Sequence, residues 1–171
     1  MAFSRRTFIK AGIVGALALA AGGGIYRMAY GPALPHRFVL DGEARAAIDA
    51  IIPAMLAGAL QHDRAALAAT TERVHQAILG LPLATQQEIQ DLFGLLALAP
   101  ARRFVAGVAG GWADASPEQV GAFLQSWRMH RFATLQVAYL ALHDLVLGAW
   151  YADPSSWTAI GYPGPLRELA A

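Results

Sequence analysis

Over residues 41–151 the apolar side chains return every three or four positions, and nowhere do they alternate. That spacing lines them along one face of a helix, whereas a half-buried strand needs a period of two. With no hairpin signal and no internal repeat, the pattern points to an all-α protein. The expected form is an irregular helical bundle with an extended C-terminal tail rich in proline, glycine and aromatic residues.

The punctuation of this pattern places the helices. The first is expected from Asp41, with Ile48, Ile51, Ile52, Met55 and Leu56 on one face, and Pro53 should kink or end it nearby. A second spans 63–79, capped by Asp63 and striped with Leu67, Thr71, Val74 and Ile78; Gly80 and Pro82 then break it. A third is expected to begin at Thr85, where Thr85-Gln86-Gln87-Glu88 reads as a capping box, and to bury Ile89, Leu92, Phe93 and Leu96 before Pro100 stops it. A short helix over 102–108 is expected to end at Gly110 and Gly111. The strongest start is Ser116-Pro117-Glu118-Gln119, with a serine cap, proline in the first turn and glutamine three residues after the cap. Beyond it come Val120, Phe123, Leu124, Trp127, Phe132, Leu135, Tyr139, Leu142, Leu145 and Val146. This run is either one helix or two meeting over 126–130, where no proline or glycine decides the matter.

Ahead of the helices stands a different kind of segment. Ser4, Arg5, Arg6, Thr7, Phe8, Ile9 and Lys10 precede a glycine-spaced apolar stretch over 11–21. A paired arginine with an aromatic and a basic residue before a mildly hydrophobic run reads as a twin-arginine export signal, with Ser4, Arg5, Arg6, Phe8 and Lys10 as its recognition residues. Residues 8–26 are close to the length of a membrane span, but Gly12, Gly15 and Gly22 to Gly24 make a poor helix. Small-residue cleavage sites at Ala16-Leu17-Ala18 and Leu19-Ala20-Ala21 favour removal of residues 1–21; the competing outcome is a retained anchor. The route implies a periplasmic location and cargo that folds before crossing, often with a cofactor already installed. Residues 22–40, with Gly31, Pro32 and Pro35, read as a linker or arm, and 41–171 as a single helical domain with its tail.

Composition narrows the chemistry. Cysteine is absent from the 171 residues, which excludes disulfides, thiolate metal sites, cysteine-held iron–sulfur clusters and covalent haem attachment. The only lysine is Lys10. Losing Arg5, Arg6 and Lys10 takes the net charge from +1 to about −2, which leaves no basic excess for nucleic acid. At 56% hydrophobic and 15% charged the chain is apolar for its size, and a partner is expected to cover part of its surface.

The residues offer little for catalysis. His36, His62, His75, His130 and His143 include no pair three or four apart, the spacing that would put two metal ligands on one helix face. Glu43, Asp49, Glu88, Asp91 and Asp144 are scattered near helix starts or on polar faces. Ser116 reads as a cap, and no serine sits in a nucleophile-elbow motif. Gly22-Gly23-Gly24 lacks the strand and lysine of a phosphate loop. No catalytic, metal-ligating or cofactor-binding residue is expected in this chain.

What remains lies near the C-terminus. Trp127, Arg128 and Arg131 are expected to open the last long helix and Tyr139, Trp150 and Tyr151 to line or close it; Trp157 and Gly161-Tyr162-Pro163-Gly164-Pro165 follow. Aromatic side chains, arginine and rigid proline segments suit a docking surface because they bury much area at little entropic cost. They suit the domain's own core equally well.

The leader, an all-helical body of this length, the Trp127 and Arg128 pair, and the ending W-x-x-I-G-Y-P-G-P together resemble the small subunit of membrane-associated flavin dehydrogenases. This is the gluconate 2-dehydrogenase subunit 3 type, which includes the small subunit of FAD-dependent glucose dehydrogenase. The likeness covers the leader and about the last 50 residues, and the middle only in helical character. The resemblance implies a large subunit of the glucose-methanol-choline type that holds FAD and oxidises a sugar or alcohol. It also implies a multihaem cytochrome c subunit that takes the electrons to the membrane, with neither cofactor held here. The small subunit would be an export escort that carries the folded flavoprotein through the twin-arginine translocon. Some members are tied to the large subunit by a disulfide, and this chain has no cysteine with which to form one. The alternatives are a free-standing helical module for an apolar ligand and a periplasmic enzyme, a hydrolase or a histidine-metal protein.

Overall fold

The computed structural model describes residues 36–60 and 63–164. The leader residues Ser4, Arg5, Arg6, Phe8 and Lys10, most of the expected arm, His62 and Pro165 lie outside the described residues. Within them are α1 (Gly42–Met55), α2 (Arg64–Leu79), α3 (Leu83–Ala97), α4 (Ala99–Phe104), α5 (Pro117–Arg128) and α6 (Ala133–Tyr151). Single 3-10 turns occupy Trp112–Asp114, Pro154–Ser156 and Thr158–Ile160, and no strand occurs among the described residues. The all-α bundle expected from the apolar spacing is the fold the chain adopts.

Helix α1 is the hub. α2, α3, α5, α6 and the Trp112 turn all pack against it, because it turns Ala44, Ala47, Ile48, Ile51 and Ile52 inward. Ile51 and Ile52 are at most 1% exposed, and full burial of such a side chain contributes about 1.5–3 kcal/mol. Pro53 falls in the last turn, and the helix ends at Met55, as that proline predicts. Three starts follow the sequence closely. Asp41 accepts the Ala44 N–H at 2.7 Å, and Asp63 accepts the Ala65 and Ala66 N–H groups. Ser116 and Gln119 close the reciprocal box, Ser116 accepting the Gln119 N–H and Gln119 Oε1 accepting the Ser116 N–H at 3.0 Å.

The capping box expected at Thr85 does not form. α3 starts at Leu83, with Pro82 preceding it and no side-chain cap. Gln86, which the box would leave at the surface, is 3% exposed. Its Oε1 accepts the Phe38 N–H at 3.0 Å, while its Nε2 donates to the Leu79 and Leu81 carbonyls. One buried amide thus satisfies three backbone groups from two separate segments, and starting the helix earlier is what points it there. The same contact corrects the end of the expected arm. Phe38 is buried, its ring 5.9 Å from Phe93 and 6.0 Å from His75, so the folded body includes residues before Asp41.

The short helix also differs. α4 takes Pro100 into its first turn and ends at Phe104, so proline opens this helix as well as closing the one before. The long C-terminal run is two helices, divided at residues 129–132. Side chains hold the division: His130 Nδ1 accepts the Phe132 N–H at 3.1 Å, and Gln136 Nε2 donates to the His130 carbonyl at 2.7 Å. Those bonds satisfy backbone groups that a continuous helix would have paired internally. Trp127 and Arg128 therefore close α5 and do not open the last helix.

Trp112, Phe123 and Trp127 form a run of edge-to-face rings with centroids 5.6 and 4.7 Å apart, and each is 1% exposed. Trp112 Nε1 donates to the Leu96 carbonyl and Trp127 Nε1 to the Val105 carbonyl, both at 3.0 Å. Trp112 thereby fastens the end of α3 to its own turn, which packs on Phe123 of α5, and Trp127 fastens the end of α4 to α5.

Candidate functional site

The tail organises around Trp157. Its indole Nε1 donates to the Tyr151 carbonyl at 2.7 Å, and its ring meets Tyr162 edge-on at 5.2 Å. The Tyr162 N–H returns to the Trp157 carbonyl, so the chain turns back on itself. Glycine is required twice in that turn. Gly161 has φ +69° and Gly164 φ +94°, and a Cβ on Gly164 would lie 3.1 Å from Trp157 Cζ3. Half of the Gly161-Tyr162-Pro163-Gly164 motif is thus explained by the local turn. Residues 154–160 are wound into two 3-10 turns, and among the described residues only 162–164 take the non-helical path expected of the tail.

Asp153 anchors the start of this segment. Its carboxylate accepts the Ser155 N–H at 2.7 Å and pairs with Arg73 of α2 at 2.7 Å. Hydrogen bonding from Ser155, aided by the Arg73 charge, holds its carboxyl below the usual range. Glu72 and Glu118 are also lowered, mainly by the Gln76 amide and the Ser116 hydroxyl respectively. None of the three lines either of the two clefts described below.

The residues expected to bind a partner separate into three groups. Trp127 is in the core, where its indole holds α4 in place, and it offers no outward surface. Tyr139 and Trp150 are half-buried and packed against the core, and Trp157 is half-buried within the tail. Arg128, Arg131, Tyr162 and Pro163 are exposed, with Gly161 and Gly164 shaping the turn that presents Tyr162.

Two clefts open on the surface. One, of about 260 Å³, is lined by Met55, Leu124, Gln125, Tyr139, His143 and Leu147, and there the Tyr139 ring lies 5.8 Å from His143. His143 Nδ1 lies 3.0 Å from the carboxylate of Asp144, its neighbour in sequence. The other, of about 520 Å³, runs along α1 past Arg45, Asp49, Pro53, Leu67, Trp112 and Pro117. Asp49 accepts a hydrogen bond from the Thr71 hydroxyl, a bond that ties α1 to α2. No group of three or more histidine and acidic side chains with metal-binding geometry occurs among the described residues.

Sequence spacing missed the outward face of α6. The stripe from Leu135 to Val146 leaves out Val137 and Leu140, which are 63% and 51% exposed; Tyr151, Ile160 and Tyr162 are exposed further along. Phe132, placed on the buried stripe by its spacing, is 43% exposed because the chain breaks just before α6. The usable signal was the helix's composition: of its 19 residues only Thr134, Gln136, His143 and Asp144 are polar. A helix apolar on all sides is ordinarily covered on all sides. No helix among the described residues is long and apolar enough to cross a membrane. In comparisons with protein-family models, curated proteins and solved structures, the chain matches none.

Proposed function

We propose that this chain is the noncatalytic small subunit of a periplasmic FAD-dependent sugar or alcohol dehydrogenase complex of the glucose-methanol-choline type. It escorts the folded flavoprotein through the twin-arginine translocon, and FAD and haem c belong to the partner subunits. The observation that supports this reading is the uncovered outer face of α6, with Val137 and Leu140 more than half exposed and Tyr151, Ile160 and Tyr162 following towards the tail. An apolar face of this kind calls for a protein partner. The leader with Arg5 and Arg6 and the likeness of the Trp157 to Pro165 ending name the class of partner.

Coexpression with a flavoprotein that lacks its own signal tests the reading. The two chains are expected to copurify, and Arg5→Lys with Arg6→Lys should strand both in the cytoplasm. Val137→Asp with Leu140→Asp should cut copurification at least tenfold without unfolding the bundle, because both side chains point away from the core. A flavoprotein that reaches the periplasm unaffected by these changes would sink the proposal.

A further inference from the structure

The two most exposed large apolar side chains among the described residues are Phe104, at 82%, and Met129, at 72%. They sit at the ends of α4 and α5, and the Trp127 Nε1 to Val105 carbonyl bond brings those two ends together. Arginines interleave with them. The Arg103 guanidinium lies 5.9 Å from the Phe104 ring centroid and that of Arg131 lies 4.8 Å from Phe132, while Arg128 immediately precedes Met129. No aspartate or glutamate occurs between residues 92 and 113 or between 119 and 143. The arginine salt bridges among the described residues use Arg73 and Arg102. Helix-end position accounts for Arg103 and Arg128, which complement the carbonyl ends of α4 and α5. It accounts for neither Arg131 nor the apolar side chains between the charges.

We infer that this edge seats the protein on an anionic lipid surface. A protein-docking patch gathers its apolar side chains into a water-excluding centre and puts charge at the rim. Here apolar and cationic side chains alternate along the chain, and a phenyl ring that is 82% exposed has almost no neighbours with which to form such a centre. A fluid headgroup layer needs no matching pocket. It closes around isolated rings and thioethers while the adjacent guanidinium groups meet lipid phosphates. The charge is local, since the body without its leader carries about −2 overall. The assignment does not depend on the escort reading, and it moves Arg128 and Arg131 from the flavoprotein face to the membrane.

The absence of cysteine makes the test specific, because one introduced thiol takes a single environment-sensitive fluorophore. The full-length chain carries it either at Met129→Cys or, as control, at Thr158→Cys. The control site lies beyond the far end of α6, a helix roughly 28 Å long at about 1.5 Å per residue. With vesicles of phosphatidylcholine containing one-third phosphatidylglycerol, the probe at 129 is expected to shift to the blue and be quenched by lipid-borne quenchers. With pure phosphatidylcholine it should not, and the probe at 158 should stay in water in both cases. Arg103→Gln, Arg128→Gln and Arg131→Gln combined should weaken the partition roughly 100-fold, at about fivefold per arginine. No shift at 129, an equal shift at 158 (the leader alone holding the chain to lipid), or a triple variant that binds as before would each overturn the inference. So would a probe at 129 that responds to a flavoprotein and not to vesicles, which would assign the edge to a protein.

Discussion

Two aromatic clusters in this chain use the same parts to different ends. In the first, Trp112, Phe123 and Trp127 pack edge to face, and both indole N–H groups are spent on backbone carbonyls inside the fold. In the second, Trp157 and Tyr162 also meet edge to face, and an indole N–H again donates to a carbonyl, but the cluster is half in water. Trp127 of the first and Trp157 of the second were alike in sequence as candidates for a partner surface. What separates them is enclosure: one cluster has helices on every side, whereas the other closes only on its own tail.

Truncating one ring from each cluster should give the largest contrast. Trp127→Ala opens a cavity, frees the Val105 carbonyl and releases the end of α4, and should cost about 3–5 kcal/mol in denaturant unfolding. Trp157→Ala should cost about 1 kcal/mol, while exposing the segment after residue 151 to protease. Equal losses would mean the tail is part of the cooperative core and would break the distinction.

A smaller effect isolates the indole N–H. Trp112→Phe leaves the Leu96 carbonyl buried without its donor and should lose about 1–3 kcal/mol. Trp157→Phe should change stability by under about 0.5 kcal/mol, since water replaces the lost donor at the exposed Tyr151 carbonyl. Paired melts of the two variants read the difference directly.

The smallest effect is in acid. The Asp153 carboxyl titrates below its usual range when folded, so its support of the tail is complete above that range and fades as pH falls through its lowered pKa. Below about pH 4 the Trp157 indole N–H resonance should begin to exchange faster while those of Trp112 and Trp127 persist. A common midpoint for all three would show that the tail and core titrate as one unit.

Much of the body was legible in the sequence. Asp63 and Ser116 cap the helices they were expected to cap, and Asp41 caps the helix expected to begin there, because a cap acts within four residues and its partners lie beside it in the chain. α1 ends two residues after Pro53, near where it was expected to. Thr85 to Glu88 failed as a box because Gln86 has partners at Phe38, Leu79 and Leu81, and the most distant of these lies 48 residues away. Of the residues expected to bind a partner, Arg128, Arg131 and Tyr162 are exposed, whereas Trp127 is a core residue with an interface composition. Phe104, Met129, Val137 and Leu140 went unmarked, although Val137 and Leu140 lay off the stripe that α6 buries.

By itself, then, the sequence determined the helical class, three helix starts and the proline-limited ends. All of these rest on interactions among near neighbours. The tertiary structure alone decided that the C-terminal run divides at 129–132, that Gln86 and Phe38 belong to the interior, and which tryptophans are enclosed. Periodicity tells a helix which side chains share a face. Whether that face, or the opposite one, meets protein or water depends on segments far along the chain that only the packed bundle brings together.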